Sequence, residues 1–137
     1  MKNCIETVRH SSVKVEEQKR KAIFSNPNKN PYQKGRIDGC LVSEGIRADY
    51  FVSGEGKSVL VELKGCNIDH ACKQLLLAAE HENVKPHLNE KIGFMIVCSR
   101  YPSHTSTVQL TEDKIRKKYK AKLLVFTKQR EVNMGMF

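Results

Sequence analysis

The chain has 137 residues, 39% of them hydrophobic, and a formal net charge of +9. This length suits one domain, residues 1–137, with a core of its own. The sequence has no apolar run long enough to span a bilayer, and its first 15 residues lack the apolar segment of a signal peptide. We therefore expect a soluble protein of the cytoplasm without a membrane partner.

Five cysteines occur, at positions 4, 40, 66, 72 and 98, and no two of them form a CxxC pair. This spacing indicates neither a secreted disulfide framework nor a ribbon-type zinc site. Cys40 and Cys98 lie in apolar runs, where a free cysteine behaves as a small buried hydrophobe. We expect the thiols to be reduced.

The charge is distributed unevenly along the chain. Residues 1–36 carry a net charge of +6, residues 37–90 carry −4, and residues 91–137 carry +7. An acidic centre between basic flanks suits a metal site that acts on a polyanion, because the flanks hold phosphates and the centre holds cations. A basic, well-solvated surface is the alternative, and the composition is compatible with both.

The first part of the chain predicts a helix and a loop. Residues 13–24 contain neither Gly nor Pro, and Ser11 and Ser12 precede them as possible caps, which favours a helix. Residues 25–35 are rich in Asn, Pro and Gly, which is typical of a loop.

The centre of the chain predicts three strands. Residues 37–43 and 47–53 are short and apolar-rich, with a hairpin signal at residues 44–46 between them. A turn at residues 54–57 leads to a third strand, residues 58–64.

The remaining segments predict two helices and two strands. Residues 69–83 follow as a helix with Asp69 as its cap, and residues 91–99 form a strand that is apolar on both faces. Thr111 can cap a short helix over residues 112–119. A last strand covers residues 121–127 and a loose tail follows. The predicted order is therefore α-β-β-β-α-β-α-β, an α/β fold with a central mixed sheet flanked by helices.

The candidate chemistry lies in two of these strands. Asp49 and Glu62 come from neighbouring strands, and Lys64 follows Glu62 at the ExK spacing. Paired carboxylates are hard oxygen ligands suited to Mg²⁺ or Mn²⁺, and the backbone carbonyl of Leu63 could add a further oxygen. A lysine beside the ion could orient the attacking water. Gln74, between two alanines of the next helix, could reach the strand of Glu62.

The segments DYF, VLVELKG and HACKQL together resemble the PD-(D/E)XK nuclease superfamily, which includes restriction endonucleases and archaeal-type Holliday junction resolvases. The resemblance covers roughly residues 37–100 and implies the restriction endonuclease-like fold. It implies that Asp49 and Glu62 bind the divalent metal, that Lys64 assists the attacking water and that Gln74 completes the site. A further glutamate on the first helix is common in the family. Here the candidates are Glu17 and, second, Glu16. The proline of the family name is replaced by Ala48.

The expected activity is metal-dependent hydrolysis of phosphodiester bonds, above all in DNA, by a homodimer or within a larger complex. The candidate phosphate contacts are basic residues of three segments: Lys19, Arg20, Lys21, Lys34, Arg36, Lys117 and Lys118. The alternative is a catalytically inactive nucleic-acid-binding or regulatory module of the same fold, as part of a defence or repair complex.

Overall fold

The computed structural model describes residues 3–17, 20–45, 48–65, 67–98, 106–127 and 129–137, and for Lys64 and Gly65 only their place in a strand. Nine strands and two helices lie within these ranges. In chain order they are β1 (Ile5–Val8), β2 (Ser12–Glu17), β3 (Arg20–Ser25), β4 (Tyr32–Arg36), β5 (Tyr50–Gly54), β6 (Lys57–Gly65), α1 (Ile68–Glu80), β7 (Lys91–Cys98), α2 (Ser106–Tyr119), β8 (Leu123–Thr127) and β9 (Arg130–Val132).

A mixed six-stranded sheet in the order β1-β4-β5-β6-β7-β8 forms the middle layer. In this sheet the neighbours β1 and β4, β4 and β5, and β5 and β6 pair antiparallel. The neighbours β6 and β7, and β7 and β8, pair parallel. Parallel neighbours need long crossover connections, and α1 and α2 lie in these two connections. The strands β2, β3 and β9 form a second, three-stranded sheet.

Two hydrophobic clusters cover the two faces of the large sheet. Along β6, Leu60 belongs to the cluster shared with α1 and α2, whereas Val61 and Leu63 belong to the cluster shared with the small sheet. This alternation has the period of two that a strand imposes. The mixed α/β class and the central mixed sheet with helices are therefore confirmed, although both helices lie on one face of the sheet.

The predicted first helix, residues 13–24, is wrong. This segment forms the antiparallel hairpin of β2 and β3. In β2, Val13 and Val15 are buried, and in β3, Ala22 and Phe24 are buried. The residue between the two members of each pair is less buried, so burial alternates with a period of two in both strands. The segment lacks a Gly, Pro or Asn turn signal at its centre, so the pattern resembled an uninterrupted helix.

The predictions for residues 25–43 are wrong in a related way. The expected loop contains β4, and the expected strand at residues 37–43 is a closed turn in which the N–H groups of Cys40 and Val42 donate to the carbonyl of Ile37. The segment is apolar because the turn packs Ile37 and Val42 into the core, not because it pairs with a neighbouring strand.

Four later elements, three strands and one helix, are close to their predicted bounds. The strands β5, β6 and β7 and the helix α1 are confirmed, but Asn67, not Asp69, caps α1 by accepting a hydrogen bond from the N–H of His70. Helix α2 begins before the predicted residue 112, and Thr111 is buried inside it. The tail expected to be loose forms β9 and a 3₁₀ turn at Met134–Met136.

The expectation of reduced thiols is wrong for two of the five cysteines. Cys4 and Cys40 form a disulfide that joins positions 36 residues apart. Cys72 and Cys98 are free and buried, as expected for Cys98, and Cys66 lies outside the described residues. Within the described ranges, neither helix is long and apolar enough to cross a membrane.

Candidate active site

The two candidate carboxylates come from the start of β5 and from β6, which are neighbours in the large sheet. Tyr50 of β5 pairs with Val61 of β6, and the N–H of Asp49 donates to the carbonyl of Val61 at 3.2 Å. Asp49 directly precedes β5, so this bond attaches its backbone to the strand that carries Glu62. The structure thus brings these two predicted site residues together.

A single backbone N–H joins the two carboxylates. The N–H of Leu63 donates to Oδ2 of Asp49 at 2.7 Å and to Oε1 of Glu62 at 3.1 Å. Both distances end on the same nitrogen, so the two oxygens lie no farther apart than the sum of these distances. Each residue is only 1% exposed. Two ionised carboxylates buried this close repel each other, and hydrogen bonds or a bound cation must offset the cost.

The strand that carries Glu62 is irregular at this point. The register between β6 and β7 shifts between Glu62, opposite Ile96, and Gly65, opposite Cys98. Lys64 and the Leu63 carbonyl lie inside this shift, which is a β-bulge of the kind that often redirects side chains beside active sites. The Lys64 side chain lies outside the described part of the structure.

Gln74 lies on the same side of the large sheet as Glu62. Leu60, two residues before Glu62, belongs to the cluster that contains Ala71 and Ala78 of α1. Gln74 is half-buried and lies one turn from each alanine, on the same stripe of the helix. Small side chains at these positions allow α1 to approach the sheet closely.

The predicted helical glutamates lie instead on a strand. Glu16 and Glu17 end β2, in the small sheet that covers the face opposite the helices. The Tyr50 hydroxyl donates to the carbonyl of Glu16 at 3.5 Å, and Tyr50 packs on the cluster between the two sheets. Glu17 therefore ends a strand on the face opposite the helices, whereas Glu62 shares the face of Leu60 and the helices.

Several charged side chains lie near Tyr50 at this end of the sheet. Tyr50 pairs with Arg36, whose Nε donates to the carbonyl of Asp38 at 3.2 Å. Burial raises the pKa of Tyr50, the Arg36 guanidinium opposes this increase, and the carboxylates of Glu17, Asp49 and Asp38 add to it. Asp38 and Tyr50 were not among the predicted residues, although Tyr50 follows Asp49 directly in the sequence.

The predicted phosphate contacts are spread over all three layers. In the small sheet, Arg20 lies in β3 and Lys21 forms an ion pair with Glu16 at 3.3 Å. In the large sheet, Lys34 forms an ion pair with Glu6 at 3.2 Å. Of these basic residues, Arg36 lies nearest to Asp49 along the paired strands.

The lysines of the helical layer lie on the exposed side of α2. Lys117 and Lys118 line a groove of about 460 Å³ between the two helices, together with Leu76 and Tyr119. Lys118 also forms an ion pair with Glu80 at 3.5 Å. Lys19, the remaining predicted contact, lies outside the described residues.

The donor set at Asp49 and Glu62 fits a hard divalent cation. Carboxylate oxygens suit Mg²⁺, which keeps several waters and needs only one or two carboxylates from the protein. Across the described ranges, no group of three or more His, Cys, Asp or Glu side chains is arranged to hold a metal ion.

Comparisons of the chain with protein-family models, with curated proteins and with solved structures gave no significant match.

Proposed function

We propose that this protein is a metal-dependent nuclease that hydrolyses phosphodiester bonds, above all in DNA, at Asp49 and Glu62. The observation that carries the proposal is the convergence of these two buried carboxylates on the N–H of Leu63. Such an arrangement is costly to the folded chain unless hydrogen bonds or a bound cation compensate it. A cation bound between the two oxygens would offset the repulsion.

The proposed cofactor is Mg²⁺ or Mn²⁺, held by Asp49 and Glu62 and by water molecules. Such an ion supplies charge neutralisation at the phosphate and makes a bound water more acidic. The Leu63 N–H keeps the Asp49 carboxylate fixed, which reduces the reorganisation needed when the substrate binds. Lys64 would orient the attacking water, and Gln74 would support the site from α1.

The order of the elements also supports the proposal. From β5 to β8 the chain runs β-β-α-β-α-β, the order predicted for residues 47–127. In the PD-(D/E)XK resemblance, the metal-binding residues come from two successive strands, and here Asp49 directly precedes β5 while Glu62 lies in β6. The hairpin β2–β3 takes the place of the expected first helix, so no helical glutamate is proposed for the site.

The test is a cleavage assay with matched variants. Wild-type protein is incubated with linear, single-stranded and branched DNA and RNA in Mg²⁺, Mn²⁺ or EDTA. The variants Glu62→Gln and Lys64→Met each remove one charge from the ExK motif. The exposed residues Glu82 and Lys73 provide the controls Glu82→Gln and Lys73→Met, which change the same charges away from the site.

We expect cleavage in metal but not in EDTA, a loss of at least about 100-fold in both site variants, and little change in both controls. Equal cleavage by Glu62→Gln and wild type would contradict the assignment of the site. Tight binding of DNA without cleavage of any substrate would favour the inactive binding module.

A further inference from the structure

A disulfide-closed turn lies directly against Asp49. Cys4, just before β1, is bonded to Cys40 in the turn that follows β4, and their Cα atoms are 5.6 Å apart. The N–H of Arg36 donates to the carbonyl of Cys4 at 2.8 Å, so the two segments are also joined through their backbones.

This turn holds the backbone of Asp49. The N–H groups of Ile37 and Asp38 donate to the Asp49 carbonyl at 2.9 Å and 3.4 Å. The Asp49 carboxylate accepts the N–H of Leu63 on the other side. Asp49 precedes β5 and is held from two sides, by this turn at its carbonyl and by β6 at its N–H and its carboxylate.

We propose that the Cys4–Cys40 disulfide is a positioning element for the carboxylate pair and that its reduction releases Asp49 from its place beside Glu62. This inference rests on the proposed function for its catalytic consequence, but not for its structural one. Both cysteines are only partly buried, so a small thiol reagent can reach them. Cys72, which forms no disulfide, is buried and is not part of the disulfide-closed turn.

The chemical step is an exchange with an external dithiol. One thiolate of the reagent attacks a sulfur of the Cys4–Cys40 bond and forms a mixed disulfide, and the second reagent thiol then displaces the protein sulfur. The two cysteines gain two electrons and two protons and become thiols, and the dithiol is oxidised to its own disulfide.

Amide hydrogen exchange followed by NMR tests whether reduction releases Asp49, because three amide protons are hydrogen-bonded to this residue. The N–H of Leu63 reports on its carboxylate, and those of Ile37 and Asp38 report on its carbonyl. Loss of the disulfide lowers the global stability and therefore speeds exchange in α1 and β7 as well, so after reduction with a dithiol we expect these three protons to accelerate at least roughly tenfold more than the amides of α1 and β7 do. The variant Cys4→Ser should show the fast exchange with and without the dithiol.

Mn²⁺ titration of the oxidised and reduced protein tests whether reduction of the disulfide weakens metal binding at Asp49 and Glu62. We expect binding to weaken roughly tenfold or more on reduction, in parallel with cleavage. Faster exchange at these three amides, with no Mn²⁺ binding by either form, would support the positioning role and reject the proposed function. Unchanged exchange would overturn the positioning role, whatever the protein binds. A uniform increase over the whole chain would also overturn it, because the disulfide would then be only a general stabiliser.

Discussion

Replacing Glu62 by glutamine should stabilise the metal-free protein while removing the proposed nuclease activity. The two carboxylates of Asp49 and Glu62 share the Leu63 N–H, which places the charges within about 6 Å of each other. At an effective dielectric constant of about 20, two like charges at this separation repel by about 3 kcal/mol. Glutamine keeps the shape and one acceptor oxygen, and the weakened hydrogen bond costs about 1 kcal/mol. We therefore expect a net gain of about 2 kcal/mol.

Urea unfolding in EDTA and in Mn²⁺ measures this effect. In EDTA, Glu62→Gln should unfold at a higher urea concentration than wild type, and the exposed control Glu82→Gln should stay within about 0.5 kcal/mol. In Mn²⁺ at a hundred times its Kd, wild type should gain about 2.7 kcal/mol and Glu62→Gln much less. A loss of stability for Glu62→Gln in EDTA would refute the reasoning, because an attractive partner of Glu62 would then outweigh the repulsion from Asp49.

Three further predictions concern the fold. A Cβ added at Gly35 would lie 2.0 Å from the ring of Phe51. Gly35→Ala should therefore lower the free energy of unfolding by about 2–3 kcal/mol. An unchanged urea midpoint would contradict this prediction, because it would show that the ring moves away at no cost. Cys4→Ser opens a link between residues 36 positions apart and should cost about 4 kcal/mol by loop entropy. Wild type unfolded with a dithiol should match it, and a midpoint equal to that of oxidised wild type would contradict the estimate. Hydrogen bonds from Tyr119 and from a nearby lysine lower the pKa of Glu80 below its ordinary 4.5. Its stabilisation is therefore present above pH 4.5 and is lost as the pH falls through the lowered pKa. Glu80→Gln should reduce the Tm at neutral pH by an amount corresponding to less than about 1 kcal/mol, and it should have no effect on the Tm in acid. A difference in Tm that stays constant from acid to neutral pH would show that the ionised Glu80 carboxylate is not the cause.

The elements that could be predicted are those whose burial is local and continuous. β7 is apolar along almost its whole length because both of its faces are covered, and α1 repeats buried residues at helical spacing. The turn at Glu55 and Gly56, between β5 and β6, carries its own glycine signal and has positive φ at both residues. In each case the sequence pattern contains the physical cause of the structure.

The elements that could not be predicted depend on distant partners. Val13 and Val15 are buried because the hairpin packs on the large sheet, and β9 from the end of the chain completes the small sheet beside β3. Without these partners, residues 13–24 have no preference strong enough to exclude a helix. The pairing of Cys4 with Cys40 has the same origin, since sequence spacing does not reveal which cysteines meet.

The sequence alone determined the components of the candidate site: a buried strand carrying Glu62 and Lys64, an aspartate on the strand before it, and a helix with Gln74 after it. It also determined the acidic centre between basic flanks. Only the tertiary structure decided that the carboxylates of Asp49 and Glu62 meet, because both accept the N–H of Leu63 and the disulfide-closed turn holds the Asp49 carbonyl. It also decided that Glu17 lies across the sheet, since the burial that turns residues 13–24 into a hairpin comes from strands far away in the chain.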